Sequence, residues 1–226
     1  MKNKNAQKSM LIFSGVIFVL SILITLFAWQ KIPNDALVPA HWNIQGEVDR
    51  YASKTAGLLI GPGTILLLSI LLAFLPRMEP RFENLQQSQK AYKVVWAVIL
   101  LFMMTLHLIT ILAALSNTIN MAMLMAFLLG ILFMAIGNYL GKIRSNFMFG
   151  IRTPWTLASD EAWNKTHRLG GWLFFTTGLL TFLSGFFHSG KLTFSLLFGG
   201  LFLSLLILFG YSYWVWKKEE DQKNTF

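Results

Sequence analysis

MLIFSGVIFVLSILITLFAW, Met10–Trp29, runs for twenty residues without one Asp, Glu, Lys or Arg. At a 1.5 Å rise per residue that length spans the roughly 30 Å hydrocarbon core of a bilayer. Five further runs repeat the pattern: 56–75, 94–115, 121–140, 171–187 and 192–214. The 171–187 run is the shortest, and its helix is expected to continue back into the preceding loop. A backbone in hydrocarbon must satisfy its N–H and C=O groups internally, so each run reads as a helix. The expectation is an all-α membrane protein, a bundle of six transmembrane helices. Composition agrees: 55% of residues are hydrophobic, 13% are charged and the mean hydropathy is +0.56.

Lys2, Lys4 and Lys8 precede the first run in the manner of a signal peptide. The apolar length is too great for one, and Trp29-Gln30-Lys31 closes it instead of a small-residue cleavage pattern. It reads as a retained helix. Zero cysteines exclude disulfides and cysteine metal sites. Lys and Arg number three, four, five and three in the N-terminal tail, the second loop, the fourth loop and the C-terminal tail, fifteen in all. The alternate loops hold three, none and one, four in all. The positive-inside rule then predicts both termini in the cytoplasm, N-in and C-in. Basic loops beside anionic lipid account for the +9 net charge without a nucleic-acid partner.

Two loops carry distinctive sequence, one on each side. The external one, 30–55, lies in an N-terminal three-helix half (1–115). Pro33 and Pro39 keep its first part extended, Gly46 invites a turn, and its charges balance. The cytoplasmic one, 141–170, lies in a C-terminal half (116–226). Pro154 interrupts any helix there and biases Thr153 to an extended backbone. Ser159 reads as an N-cap ahead of Asp160 and Glu161, with the helix running on into the fifth span. Asp160, Trp163 and His167 then share a face, with Arg168 one residue round. Lys142, Arg144 and Arg152 flank Phe147, Phe149 and Trp155, a mixture suited to the membrane interface, an anionic headgroup or a protein segment. Between the second and third runs, PRMEPRFENLQQSQKAYK reads as a solvated basic hairpin with a short polar helix. Gly57-x-x-x-Gly61 and Gly137-x-x-x-Gly141 offer close helix approach, either within the chain or across a dimer seam. Pro62 is expected to kink or start the second helix, and the tail from Lys217 to be solvated and frayed.

Other chemistries have thin support. His41, Glu47 and Asp49 outside, or Asp160, Glu161 and His167 inside, could be drawn as metal sites, but neither has ligand-dense spacing. Transport needs ionisable groups at bilayer depth. His107 alone lies within a span, and a lone His there is expected to bond a neighbouring helix; His188 sits at an outer end. A transporter or exporter of small molecules or peptides stays the alternative, and neither enzyme activity nor a cofactor is expected.

The external VPAHWNIQGEVDRYASK resembles the P-x-H-[FW]-N-x-x-G-x-x-D-x-[YW]-x-S-K pattern of the bacterial domain of unknown function numbered 1648. The residues that carry it are Pro39, His41, Trp42, Asn43, Gly46, Asp49, Tyr51, Ser53 and Lys54. The cytoplasmic GNYLGKIRSNFMFGIRTPWTLASDEAWNKTHRLGG is similar to the signature of the SdpI family, immunity proteins against the sporulation-delaying-protein toxin. Matching positions are Gly137, Asn138, Asn146, Gly150, Ile151, Arg152, Thr153, Pro154, Trp155, Trp163, Thr166, His167 and Gly170. The resemblance implies a multi-pass protein of the bacterial cytoplasmic membrane that protects against a secreted, membrane-acting peptide toxin. It also brings a family precedent for inward signalling, in which a small winged-helix repressor is held at the membrane. Candidate toxin contacts are His41, Trp42, Asn43, Gly46, Asp49, Tyr51 and Lys54. Candidate partner contacts are Asn146, Gly150, Arg152, Thr153, Pro154, Trp155, Trp163, His167 and Arg168.

Overall fold

The computed structural model describes residues 2–115 and 120–224, with side chains from 7 onward. Six of its eight α-helices are long and apolar enough to cross a membrane: α1 (Lys2–Lys31), α2 (Lys54–Phe74), α4 (Gln89–Leu115), α5 (Met121–Leu140), α7 (Asp160–Ser184) and α8 (Gly190–Lys223). Two short ones, α3 (Phe82–Gln87) and α6 (Pro154–Ala158), lie in connections at the end of the bundle that holds both termini. The boundary expected between 115 and 116 abuts residues 116–119, outside the described residues.

Helices in lipid associate by close packing rather than by hiding apolar surface from water. α1, α2 and α4 pack on one another, α7 packs on α5 and α8, and α4 meets α5. The tightest crossing is α5 on α7. A side chain at Gly137 would lie 2.5 Å from the Phe175 amide nitrogen, and one at Gly178 would lie 2.6 Å from that of Met134. Both glycine pairs read from the sequence serve contacts within the chain: Gly57 faces Val38, Gly61 faces His107, and Gly141 faces Arg168. In the first trio Trp96 is 1% exposed; its Nε1–H donates to Ser14 Oγ (3.1 Å). The outward faces carry Phe and Leu, with Phe202 on α8 66% exposed, as a lipid-facing surface requires.

The all-α expectation omits one feature. The loop after α1 folds into an antiparallel hairpin of β1 (Leu37–Trp42) and β2 (Val48–Ser53), with irregular register around His41. The extended conformation expected from the prolines is there, organised as strands. Pro62 does not start α2, which begins two turns earlier at Lys54, capped by the Ser53 side chain. Ser159 does cap α7, accepting from the Ala162 amide (3.0 Å), and α7 runs unbroken to Ser184. Pro154 opens α6 at its first position, where a missing N–H costs nothing. The tail expected to fray is helical to Lys223, held by Lys217–Asp221 and Lys223–Glu219 pairs.

Candidate functional site

Both motif-bearing loops are ordered, and they are built on opposite principles. At the hairpin end, Asn43 organises the turn: its Oδ1 accepts from the Gln45 and Glu47 amides (2.9 and 3.0 Å). Gly46 sits at φ +84°, a left-handed conformation open to glycine. The turn also needs that glycine for space, because a side chain there would lie 2.9 Å from the Ala122 amide nitrogen on α5. Gly190, which opens α8, runs closer still to the hairpin, and a side chain there would overlap the Ile44 carbonyl oxygen. The hairpin tip is thus seated on the first turns of α5 and α8.

Beneath that tip lies a groove of about 620 Å³. His41, Trp42, Asn43 and Gly46 line its mouth together with Ile44. Its walls come from Leu106, Ile109 and Thr110 on α4, Met121, Met125 and Leu129 on α5, and Thr193, Phe194, Leu197 and Phe198 on α8. Methionine and aromatic walls with a few polar groups suit an apolar ligand whose outline is not fixed. His41 Nδ1–H donates to Asp49 Oδ1 (2.5 Å), so Asp49 sets the imidazole orientation without lining the groove. Tyr51 is 53% exposed on β2 and outside the lining. Lys54 is buried; its Nζ donates to Asn34 Oδ1 (3.0 Å) and stands 5.2 Å above the Trp29 ring. Its place is under the hairpin, not in the groove.

At the other end the long motif closes on itself. Asn146 is fully buried; Oδ1 accepts from the Met148 and Phe149 amides (2.9 and 2.8 Å) and Nδ2 donates to the Arg144 carbonyl (2.9 Å). Trp163 and His167, also fully buried, stack at 4.0 Å between ring centroids. Trp163 Nε1–H donates to the Ile143 carbonyl (2.7 Å). The Ile151 amide donates to His167 Nε2 (2.9 Å), so the ring proton lies on Nδ1, which donates to the Trp163 carbonyl (2.9 Å). Gly150, at φ +113°, lets the chain pass over that imidazole: a side chain there would lie 2.5 Å from His167 Nε2. Thr153 and Thr156 form a reciprocal cap on α6, and Thr153 Oγ1 also donates to Ser212 Oγ on α8 (3.0 Å). Trp155 stacks edge-on against Phe209 and Tyr213. Arg152, Pro154, Asp160 and Arg168 stay exposed, and Arg152 Nη1–H donates to the Phe147 carbonyl (2.5 Å).

The connection between α2 and α4, expected to be a solvated basic hairpin, is instead bound to this motif. Glu79 is buried and accepts from the Phe147 amide (3.0 Å). Asn84 donates to the Ser145 carbonyl (2.8 Å), Ser88 Oγ accepts from the Arg144 amide (2.8 Å), and Arg81 donates to Ser145 Oγ. The Arg81 guanidinium also lies 4.6 Å above the Phe147 ring. Glu79, set between Arg77 and Arg81, was the available signal for this clasp.

The metal constellations drawn from sequence do not assemble. Glu47 turns back to accept from Asn43 Nδ2 (3.2 Å), and both ring nitrogens of His167 are bonded to the backbone. No group of three His, Cys, Asp or Glu suited to a metal exists among the described residues. His107 is bonded to a neighbouring helix as expected, its Nε2 lying 3.0 Å from Thr25 Oγ1 of α1.

Residues 142–212 match the SdpI/YfhL protein family, and residues 16–66 match a domain of unknown function, DUF1648. The chain is also 24% identical to the "Immunity protein SdpI" of Bacillus subtilis (strain 168) over 209 residues, 92% of this chain and 96% of that protein. No solved structure gives a significant match. The two matched segments fall on the self-bonded motif with the helices that hold it and on the hairpin with its flanking helices. By both segments, in this order along six helices long and apolar enough to cross a membrane, the chain is a multi-pass bacterial membrane protein similar to the SdpI/YfhL family over residues 142–212, with a DUF1648-like segment ahead of it.

Proposed function

We propose that this protein is a non-enzymatic immunity protein that protects its cell from a secreted, membrane-acting peptide toxin by engaging that peptide at the hairpin end. Similarity to an immunity protein over nearly the full chain carries the class of function. The groove under the hairpin tip, bordered by His41, Trp42, Asn43 and Gly46, supports the place. Rigid aromatics such as Trp42 dominate binding energy where they fill an interface. Asp49 contributes by holding His41. Survival in the presence of toxin tests this: Trp42→Ala and Asp49→Ala lose resistance at unchanged membrane abundance. Full resistance in both variants would remove the assignment.

The reading places both termini and the self-bonded motif in the cytoplasm, with the hairpin outside. The Lys/Arg asymmetry supports that orientation. The native chain lacks cysteine, so single-cysteine variants report it directly. Arg50→Cys on β2 reacts with an impermeant maleimide in intact cells, and Arg152→Cys reacts only after lysis. The opposite pattern would invert the topology. The reading also takes 1–115 and 116–226 as two three-helix halves.

On the inner face the groups left for a soluble partner, such as a small winged-helix repressor, are the exposed Arg152 and Arg168. Trp155 is less available, being packed on α8. Co-purification of a cytoplasmic protein with the wild type but not with Arg152→Ala would support that signalling role. Equal recovery with both would remove Arg152 from it.

A further inference from the structure

The groove has a shape that says how it is entered. Its walls reach Leu106 on α4, Leu129 on α5 and Phe198 on α8. Measured from the helix ends under the hairpin, these positions lie about 12–14 Å along the helices, at 1.5 Å per residue. That is nearly half of the roughly 30 Å apolar core, or most of one leaflet. α5 closes the back and the hairpin tip covers the top. The front is open, because α4 and α8 do not form a packed pair among the described residues. Phe194 and Phe198, on the α8 side of that opening, are 46% and 54% exposed.

Resting on the immunity reading above, we propose that this groove is a lateral site, entered from the hairpin-side leaflet. Its occupant is the apolar face of a peptide already inserted in the membrane. The lining contains no Lys, Arg, Asp or Glu. A phospholipid would bring a phosphate that no lining cation meets. A peptide segment brings apolar side chains to the deep walls and backbone polar groups to the upper groove, where His41 at the mouth and the Thr110 hydroxyl on the α4 wall can bond them. The inserted peptide concentrates in the leaflet the groove faces, so capture needs no passage through water.

A spin label on single-cysteine variants in phosphatidylglycerol/phosphatidylcholine nanodiscs tests this. Phe198→Cys lies in the groove; Phe202→Cys, one turn further along α8, does not. In the absence of peptide both labels collide freely with oxygen, which partitions into lipid. The probe is a synthetic peptide toxin of the sporulation-delaying class. Because an occupied pocket encloses most of its ligand's surface, its addition lowers oxygen collisions at 198 by about threefold and leaves 202 unchanged. In cells, Leu129→Trp fills the deep groove and abolishes protection with membrane abundance and hairpin labelling intact. Peptide binding with unmoved collisions at 198, or full protection by Leu129→Trp, would overturn the lateral site and leave the immunity reading standing. Absence of peptide binding to the wild type would overturn both.

Discussion

At the end holding the termini, Asn146, Trp163 and His167 give their polar atoms to the chain's own backbone and Thr153 gives its own to α6 and α8. At the hairpin end, His41, Trp42 and Asn43 border an open groove. Both regions come from sequence motifs dense in aromatic and polar residues. Density alone does not separate a binding surface from a structural clasp; the destination of each donor and acceptor does. In the clasp nearly every group has a protein partner, so little is left for a ligand. In the hairpin, internal bonds build the turn, and side chains such as Trp42 remain turned to a cavity.

Variants that attack the clasp should act on folding. Trp163→Ala removes a fully buried ring, its stack on His167 and its bond to Ile143. A loss of about 3–5 kcal/mol is expected from such truncations, read as a large fall in unfolding midpoint in detergent. An unchanged midpoint would mean the ring is not structural. Gly137→Val forces α5 from α7 at their tightest crossing. Overpacking of this kind costs about 1–3 kcal/mol and is measurable in the same assay. Asn146→Ala orphans the Met148 and Phe149 amides, a comparable expected loss of about 1–3 kcal/mol. Wild-type stability in that variant would break the clasp account.

At the hairpin, Trp42→Ala is expected to leave the midpoint nearly unchanged, because Trp42 is only half-buried, while protection is lost. Arg152→Ala should have the smallest effect, with stability and protection both near wild type. A protection defect there would mean that the clasp end takes part in resistance and would weaken the contrast between the two ends.

The six spans were legible because charge is excluded from each for about the thickness of a bilayer. The Ser159 cap with Asp160 and Glu161 behind it was legible because capping is local in sequence. The hairpin strands were not, since Pro39 argues against a strand interior. It is tolerated because both strands of a two-stranded hairpin have open edges. The clasp of Glu79, Asn84 and Ser88 on the motif was hidden because its partners lie more than fifty residues away. Seven hairpin positions could be nominated from the pattern, but only the fold separates His41, Trp42, Asn43 and Gly46 from the buried Lys54 and the outlying Tyr51. The groove walls carried no signal: Met125 and Phe198 are ordinary residues of apolar helices until three helix ends bring them together.

The contrast between an open hairpin end, proposed to engage the toxin, and a closed structural end is tested most directly by toxin survival of cells carrying Trp42→Ala or Arg152→Ala at matched membrane abundance. Loss of protection with Trp42→Ala and its retention with Arg152→Ala is the predicted result. Retained protection with Trp42→Ala and its loss with Arg152→Ala would contradict the account.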